Sequence, residues 1–265
     1  MAQPYFLRHD VRERVTPQVS AYGLAEYIIA DPNRQETVLH DQRFQGKNVA
    51  PKHKAVRDAV EAYCTDIKRS PEKLMAVRKA LIAKSESDGF DPGQRDEAAR
   101  CVEGIDLFWN ARQAFGADGL SLFAVPRLPA FDINGTTISL QPDLIVGSPY
   151  PPENGQKFGV VLLRPQKSPD PESFQREETK AKKKEYRLEA ARYLLVIAAM
   201  MFRNTGVPKS QLDLAKFMVW DLRLKEAVGF PSDWVSREKQ VSAAAGQIAR
   251  LWPTVPPKAN DLAKG

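Results

Sequence analysis

Between residues 143 and 189 the chain collects the side chains best suited to chemistry. Asp143 follows Pro142 inside an apolar run, Gln-Pro-Asp-Leu-Ile-Val, and Arg164, Gln166 and Lys167 follow a second run, Phe-Gly-Val-Val-Leu-Leu-Arg. Glu178, Lys182, Glu185 and Glu189 recur at three- and four-residue spacing, which places them on one stripe of a helix. Carboxylate oxygens suit hard divalent cations, and clustered Lys and Arg suit phosphates. The densest cationic stretch is Lys180-Ala-Lys-Lys-Lys184, with Arg176 and Arg187 beside it. Lys180, Lys182, Lys183, Lys184 and Arg187 are therefore candidate contacts to a nucleic-acid backbone, of the kind that gives affinity without sequence choice. Each feature also has an ordinary reading: Pro-Asp near a strand end is turn chemistry, and Glu and Lys at helical spacing form a solvated face.

The elements that must position these residues are readable from periodicity. Residues 120–125, 138–146 and 158–165 are rich in apolar and β-branched types and predict three strands. A long helix is expected over about residues 171–203, because Tyr186, Ala190, Tyr193, Ile197 and Met201 give it one apolar face. Residues 215–221 and 226–230 read as a fourth and a fifth strand, and 236–251 as a last helix. Asn134-Gly135 predicts a tight hairpin joining the first two strands, since both central residues of a type I′ turn need positive φ. Upstream, Thr16-Pro17, Asp31-Pro32, Ser70-Pro71 and Asp91-Pro92 each set a capping side chain before a proline, predicting helices over 20–30, 32–43, 51–68, 71–84 and 92–115. The expected class is α/β (α+β): a mixed four- to five-stranded sheet flanked by helices, with a helical N-terminal region. Residues 1–116 form that helical region, 117–252 the α/β core and 253–265 a mobile tail.

Pro142-Asp143 on the second strand, followed by a third strand, a helix and a further strand, resembles the core of the PD-(D/E)XK nuclease superfamily. In that family an acid and a lysine two residues apart follow on the third strand. Strand alternation puts Leu162 and Arg164 at those positions here, and a second register reads Arg164 and Gln166, with Lys167 just beyond. The resemblance implies Mg²⁺ or Mn²⁺ held by Asp143, where the metal stabilises phosphate charge and lowers the pKa of the attacking water. Arg164 can supply charge but not a general base, Gln166 a neutral oxygen, and Lys167 a cation if the strand end bends back. The missing acid would come from the following helix, at Glu178, Glu185 or Glu189. Glu189 and Tyr193 also share the spacing of a Gln-x-x-x-Tyr motif in the exonuclease branch. Ser20, Leu24 and Pro32-Asn-Arg34 are similar to the first helix of that branch; its iron–sulfur cysteine has no counterpart there, so no cluster is expected. His53 stands where some members carry a metal-binding histidine, and its ordinary reading is a cap or a solvent-facing side chain. The resemblance implies a protein acting on DNA, with metal-dependent phosphodiester hydrolysis if a migrated acid completes the site, in phage defence, mobile-element or repair work. The alternative is a catalytically inactive nuclease-like subunit that binds DNA or a protein partner.

Composition bounds these readings. The chain has 265 residues, a formal charge of +6 and 43% hydrophobic residues, enough for a large core and a charge balance that favours polyanionic partners. The longest apolar run, residues 193–202, is too short to span a bilayer, and the first residues lack the apolar run of a signal peptide; no membrane partner and a cytoplasmic location are expected. Cys64 and Cys101 are too few and too far apart for a disulfide framework, and read as buried free thiols. There is no phosphate-cradling glycine loop, no nucleophile elbow and no internal repeat.

Overall fold

The computed structural model describes residues 6–46, 52–153 and 155–263. Its N-terminal part is not wholly helical. Short strands β1 (Val11–Glu13) and β2 (Gln18–Ser20) precede α1 (Ala21–Ile29), which starts at Ser20, whose hydroxyl accepts the Gly23 N–H, and not at Thr16-Pro17. Asp31 and Asp91 cap as the sequence suggests, whereas Ser70 precedes its helix without a side-chain capping bond. Asp31 accepts the Arg34 N–H at the head of α2 (Pro32–Arg43), and strand β3 (Phe44–Gly46) then pairs antiparallel with β1. Helices α3 (Lys54–Cys64) and α4 (Pro71–Glu86) follow, and Asp91 accepts the Gln94 N–H at the start of α5 (Pro92–Ala111).

The stretch expected to be one strand over residues 138–146 is two. Hairpin β5 (Phe131–Ile133) and β6 (Thr136–Ser139) turns at Asn134 and Gly135, with φ of 49° and 82°, and forms a small sheet in which β6 also pairs in parallel with β2. After Pro142, the chain enters the main sheet as β7 (Leu144–Val146). Proline cannot donate to a ladder, so the break falls where the chain changes partners. The hairpin therefore closes the small sheet and does not directly join the first two strands of the main one.

The main sheet begins with β4 (Leu122–Phe123), a two-residue edge antiparallel to β7, which is antiparallel to β8 (Phe158–Arg164). Helix α6 (Glu177–Asn204) returns the chain to β9 (Leu212–Asp221), parallel to β8, and β10 (Glu226–Gly229) completes the order β10-β9-β8-β7-β4. Every residue of β8 is buried, as befits a central strand covered on both faces. Gly159 permits the close approach of β9: a Cβ there would lie 2.2 Å from the Lys216 carbonyl oxygen. The last helix, α7 (Trp234–Leu251), packs beside α6 and α1.

Period-two alternation sorts β8 between two cores. Val160 and Leu162 join Leu24, Leu194, Ile197 and Phe202 on the face covered by α1, α6 and α7. Val161 and Leu163 join Val56, Val60, Ile105 and Phe108 on the face covered by α3, α4 and α5. Helix and sheet apolar faces thus bury one another, giving a three-layer mixed α/β architecture. No helix among the described residues is long and apolar enough to cross a membrane. Residues 253–263, expected to be mobile, are tied down: Leu7 bridges Leu262, the Arg8 N–H donates to the Asp261 carbonyl, and His40 Nε2 lies 2.6 Å from the Asp261 carboxylate.

Candidate functional site: two clefts at the end of the central strand

Asp143 sits at the end of β8, where β7 begins. Its N–H donates to the Val161 carbonyl at 2.9 Å, so the backbone already belongs to the ladder. Its side chain reaches farther along β8 and accepts the Leu163 N–H at 2.6 Å. Arg57 of α3 lies across both carboxylate oxygens, with Nη1 at 2.5 and 2.6 Å from them. Arg57 Nη2 and the Tyr22 hydroxyl of α1 each donate to the Leu163 carbonyl at 2.9 Å. Leu163 therefore has both its peptide groups satisfied by side chains at the point where Pro142 ends the ladder. Such groups cannot be left bare in a core, because an unpaired buried donor costs about 1–3 kcal/mol.

The pair is buried, Asp143 almost completely and Arg57 with about a quarter of its side chain exposed. Burial disfavours the Arg57 charge, but the Asp143 charge and the hydrogen bonds to Asp143 and Tyr22 outweigh it and hold the guanidinium above its ordinary value. Asp143 lines a cleft of about 290 Å³ with Tyr22, Arg57, Asp58, Glu61 and Gln141. Burial, with the charges of Asp58 and Asp143, raises the Glu61 carboxyl. Asp58 and Glu61 do not converge with Asp143: among the described residues, the only three acid, His or Cys ligand atoms within 4.8 Å of one another belong to His53, Glu97 and Cys101. A hard divalent cation prefers several oxygens in one place. Here the three acids do not gather as one set, and the buried one, Asp143, is already covered by a guanidinium, so the residues do not fit Mg²⁺ or Mn²⁺.

The other face of β8 carries a different arrangement. Leu162, where the resemblance would put an acid, has no accessible surface and belongs to the α6 core. Arg164, two residues on, lines a larger cleft of about 690 Å³ with Tyr22, Glu26, Arg34, Gln166, Lys183 and Tyr186. Its Nη1 donates to the Arg187 carbonyl at 2.6 Å and lies 3.9 Å from Asp221. Burial and the neighbouring Arg187 charge depress Arg164 to about 10, which leaves it charged at neutral pH. Gln166 Oε1 is buried without a hydrogen-bond partner. Glu26 accepts two N–H groups of Arg34, which offsets that acid. The cation facing the cleft without a close carboxylate is Lys183, which lies over the Phe174 ring and has no acidic partner among the described residues, whereas Arg164 is buried beside Asp221.

The remaining sequence candidates are elsewhere. Lys167 is exposed and lines neither cleft; its carbonyl accepts from Arg187. Glu185 pairs with Arg192 at the surface, and Glu189 is held by Arg192 and by Arg237 of α7, so neither reaches Asp143. Three lysines of the basic run are paired with acids: Lys180 with Glu172 and Glu177, Lys182 with Glu178, and Lys184 with Glu226. Arg187 is the clearest correction. It has no exposed surface, and its guanidinium grips Asp221 through two bonds of 2.9 and 2.7 Å and donates to three loop carbonyls, so it fastens α6 to β9 and cannot reach a nucleic acid.

Sequence reasoning missed Tyr22, Glu26, Arg34, Arg57 and Glu61. The available signal was weak: Tyr22 and Glu26, like Arg57 and Glu61, are four apart and share helix faces with core residues. No family model matches the sequence, and no curated protein is detectably similar to it.

Proposed function

We propose that this chain is a nuclease-like protein without hydrolytic activity, which holds a DNA backbone over the larger cleft. The observation that carries the reading is the guanidinium of Arg57 bound across both oxygens of Asp143, in the place a catalytic cation would need. What supports the resemblance is Pro142-Asp143 and the order β4, β7, β8, α6, β9 among the elements of the main sheet and its crossover helix. Leu162 in place of an acid removes the second ligand, and an internal cation balances the one that is left. Lys183 supplies positive charge to a cleft whose wall Arg164, Gln166, Tyr22 and Tyr186 line. Charge of this kind binds phosphates irrespective of sequence.

The test is cleavage and retention of linear, supercoiled and single-stranded DNA with Mg²⁺ and with Mn²⁺. No cleavage is expected, and retention should fall steeply with salt. Lys183→Glu should weaken retention by about tenfold and flatten its salt dependence, since one phosphate contact is lost and a like charge is added. Cleavage that disappears in Asp143→Asn would overturn the reading in favour of a working metal site. Retention unaffected by salt and by Lys183→Glu would move the interface away from this cleft, toward a protein partner.

A further inference from the structure

A second group of chemically capable residues lies outside both clefts, between α3 and α5. His53 precedes the first residue of α3, and Glu97 and Cys101 are one turn apart on α5. A ring nitrogen of His53, a carboxylate oxygen of Glu97 and the Cys101 sulfur lie within 4.8 Å of one another. His53 is 7% exposed and Cys101 2%. His53 was expected as a surface cap; instead its ring is buried, makes no capping bond, and leaves Nδ1 with no hydrogen-bond partner. A buried polar atom without a partner is costly and is accounted for by a bound water or ion. The Glu97 carboxylate accepts the backbone N–H of His53 and lies 3.5 Å from the Cys101 sulfur, so it already holds the three residues together.

A buried thiol beside a histidine also suits a nucleophile, but nucleophiles need access and a lowered thiol pKa. Cys101 has neither: burial and the Glu97 charge push its thiol up to about 11. A metal ion is the ligand that matches this set. Sulfur, imidazole and one carboxylate are donors of mixed softness, the combination that zinc accepts and that Mg²⁺ and Ca²⁺ do not. Charge also closes, because a divalent ion is neutralised by one carboxylate and one thiolate, with histidine neutral. That neutrality is needed here, since Lys52, Arg57 and Arg100 all place positive charge near His53.

We propose that His53, Glu97 and Cys101 form a zinc site that fastens the head of α3 to α5. On binding, Cys101 gives its thiol proton to solvent and donates as a thiolate, His53 donates a ring-nitrogen lone pair, and Glu97 donates a carboxylate oxygen. Three protein donors leave the fourth position of a tetrahedral ion to a water. The Arg57 N–H bonds the His53 carbonyl at 3.2 Å, in the first turn of the helix whose Arg57 side chain covers Asp143. The ion would therefore also stiffen the helix that sets the Arg57 guanidinium, without being part of either cleft.

The protein, freed of metal by a chelator and returned to chelator-free buffer, is titrated with Zn²⁺ by calorimetry and with Co²⁺ by absorption. One ion per chain is expected, with a thiolate-to-cobalt charge-transfer band and a rise in thermal midpoint with zinc. Cys101→Ala and His53→Ala should each weaken binding by more than about 100-fold and abolish the band or alter it, since losing a ligand costs more than losing a group behind one. Cys64→Ala, which removes the other buried thiol, should bind as the wild type does, and circular dichroism of each variant without metal separates loss of the site from loss of the fold. Absence of stoichiometric binding in the folded wild type, or binding that survives in both folded ligand variants, overturns the proposal. None of these readouts involves DNA, so they are independent of the proposed function.

Discussion

Arg57 and Asp143 meet where α1, α3 and the β7–β8 junction converge, and their contact has a measurable signature. Removing one partner of a buried ion pair leaves the other charged and desolvated, whereas removing both leaves no orphan. Arg57→Ala and Asp143→Ala should each cost about 3 kcal/mol in chemical denaturation, the lower end for such pairs because Arg57 retains some exposure. The double variant should cost much less than the sum, with a coupling of about 1–3 kcal/mol. Additive losses would mean that the two groups stabilise the fold separately, and would remove the main support for an internal cation at Asp143. At this scale Asp143 is a residue that the sequence marked correctly and whose partner it did not: nothing in local periodicity tells that a residue 86 positions upstream will lie on it.

Helix α6 shows how one element divides its labour by face. Its N-terminal half carries the basic run, its buried face carries Arg187 on Asp221, and Glu189 turns toward α7, where Arg237 donates to it at 2.7 Å. Burial alone would raise the Glu189 carboxyl, but the hydrogen bonds from Arg237 and Arg192 and their charges outweigh it and hold it below the ordinary glutamate value. A carboxyl with a lowered folded-state pKa contributes stability in full above its unfolded value, about 4.3, and loses it as pH falls through the lower folded value. Thermal midpoints followed from about pH 6 to about pH 3 should therefore fall more steeply for the wild type than for Glu189→Gln, by an amount equivalent to about 1 kcal/mol. Parallel slopes would show that the link between α6 and α7 rests on apolar packing alone. The long helix and its apolar face were legible in the sequence; which of its charges were buried was not, because Arg187 follows the lysine run as one more cation.

Across the whole molecule the two cores are opposite faces of one sheet. Trp220 of β9 has no exposed surface and stacks on Phe115 and Phe108, with ring centroids 5.4 and 6.1 Å away, while its strand neighbour Val219 faces the other core. A large cavity behind Trp220 must therefore weaken both faces together. Trp220→Ala should destabilise by about 3–5 kcal/mol. It should move a single transition, with near-UV and far-UV circular dichroism still coincident. Two separated transitions in the variant would show that the helices α3 to α5 unfold as a unit of their own.

What the sequence determined by itself is what local physics determines. Capping Asp31 and Asp91 before proline, Asn134-Gly135 with positive φ, and the apolar runs of β8 and β9 each act within a few residues, and each is found where its chemistry put it. Tertiary structure alone decided which sheet each half of residues 138–146 would join, because an apolar alternation carries no address for its partner strand. It also placed Arg57 on Asp143, buried Arg187 on Asp221, and drew His53 to Glu97 and Cys101. Those pairings are made across the core by residues far apart in the chain. Their selection comes from the cost of leaving buried charge and buried peptide groups unsatisfied, a quantity that exists only once the core has closed.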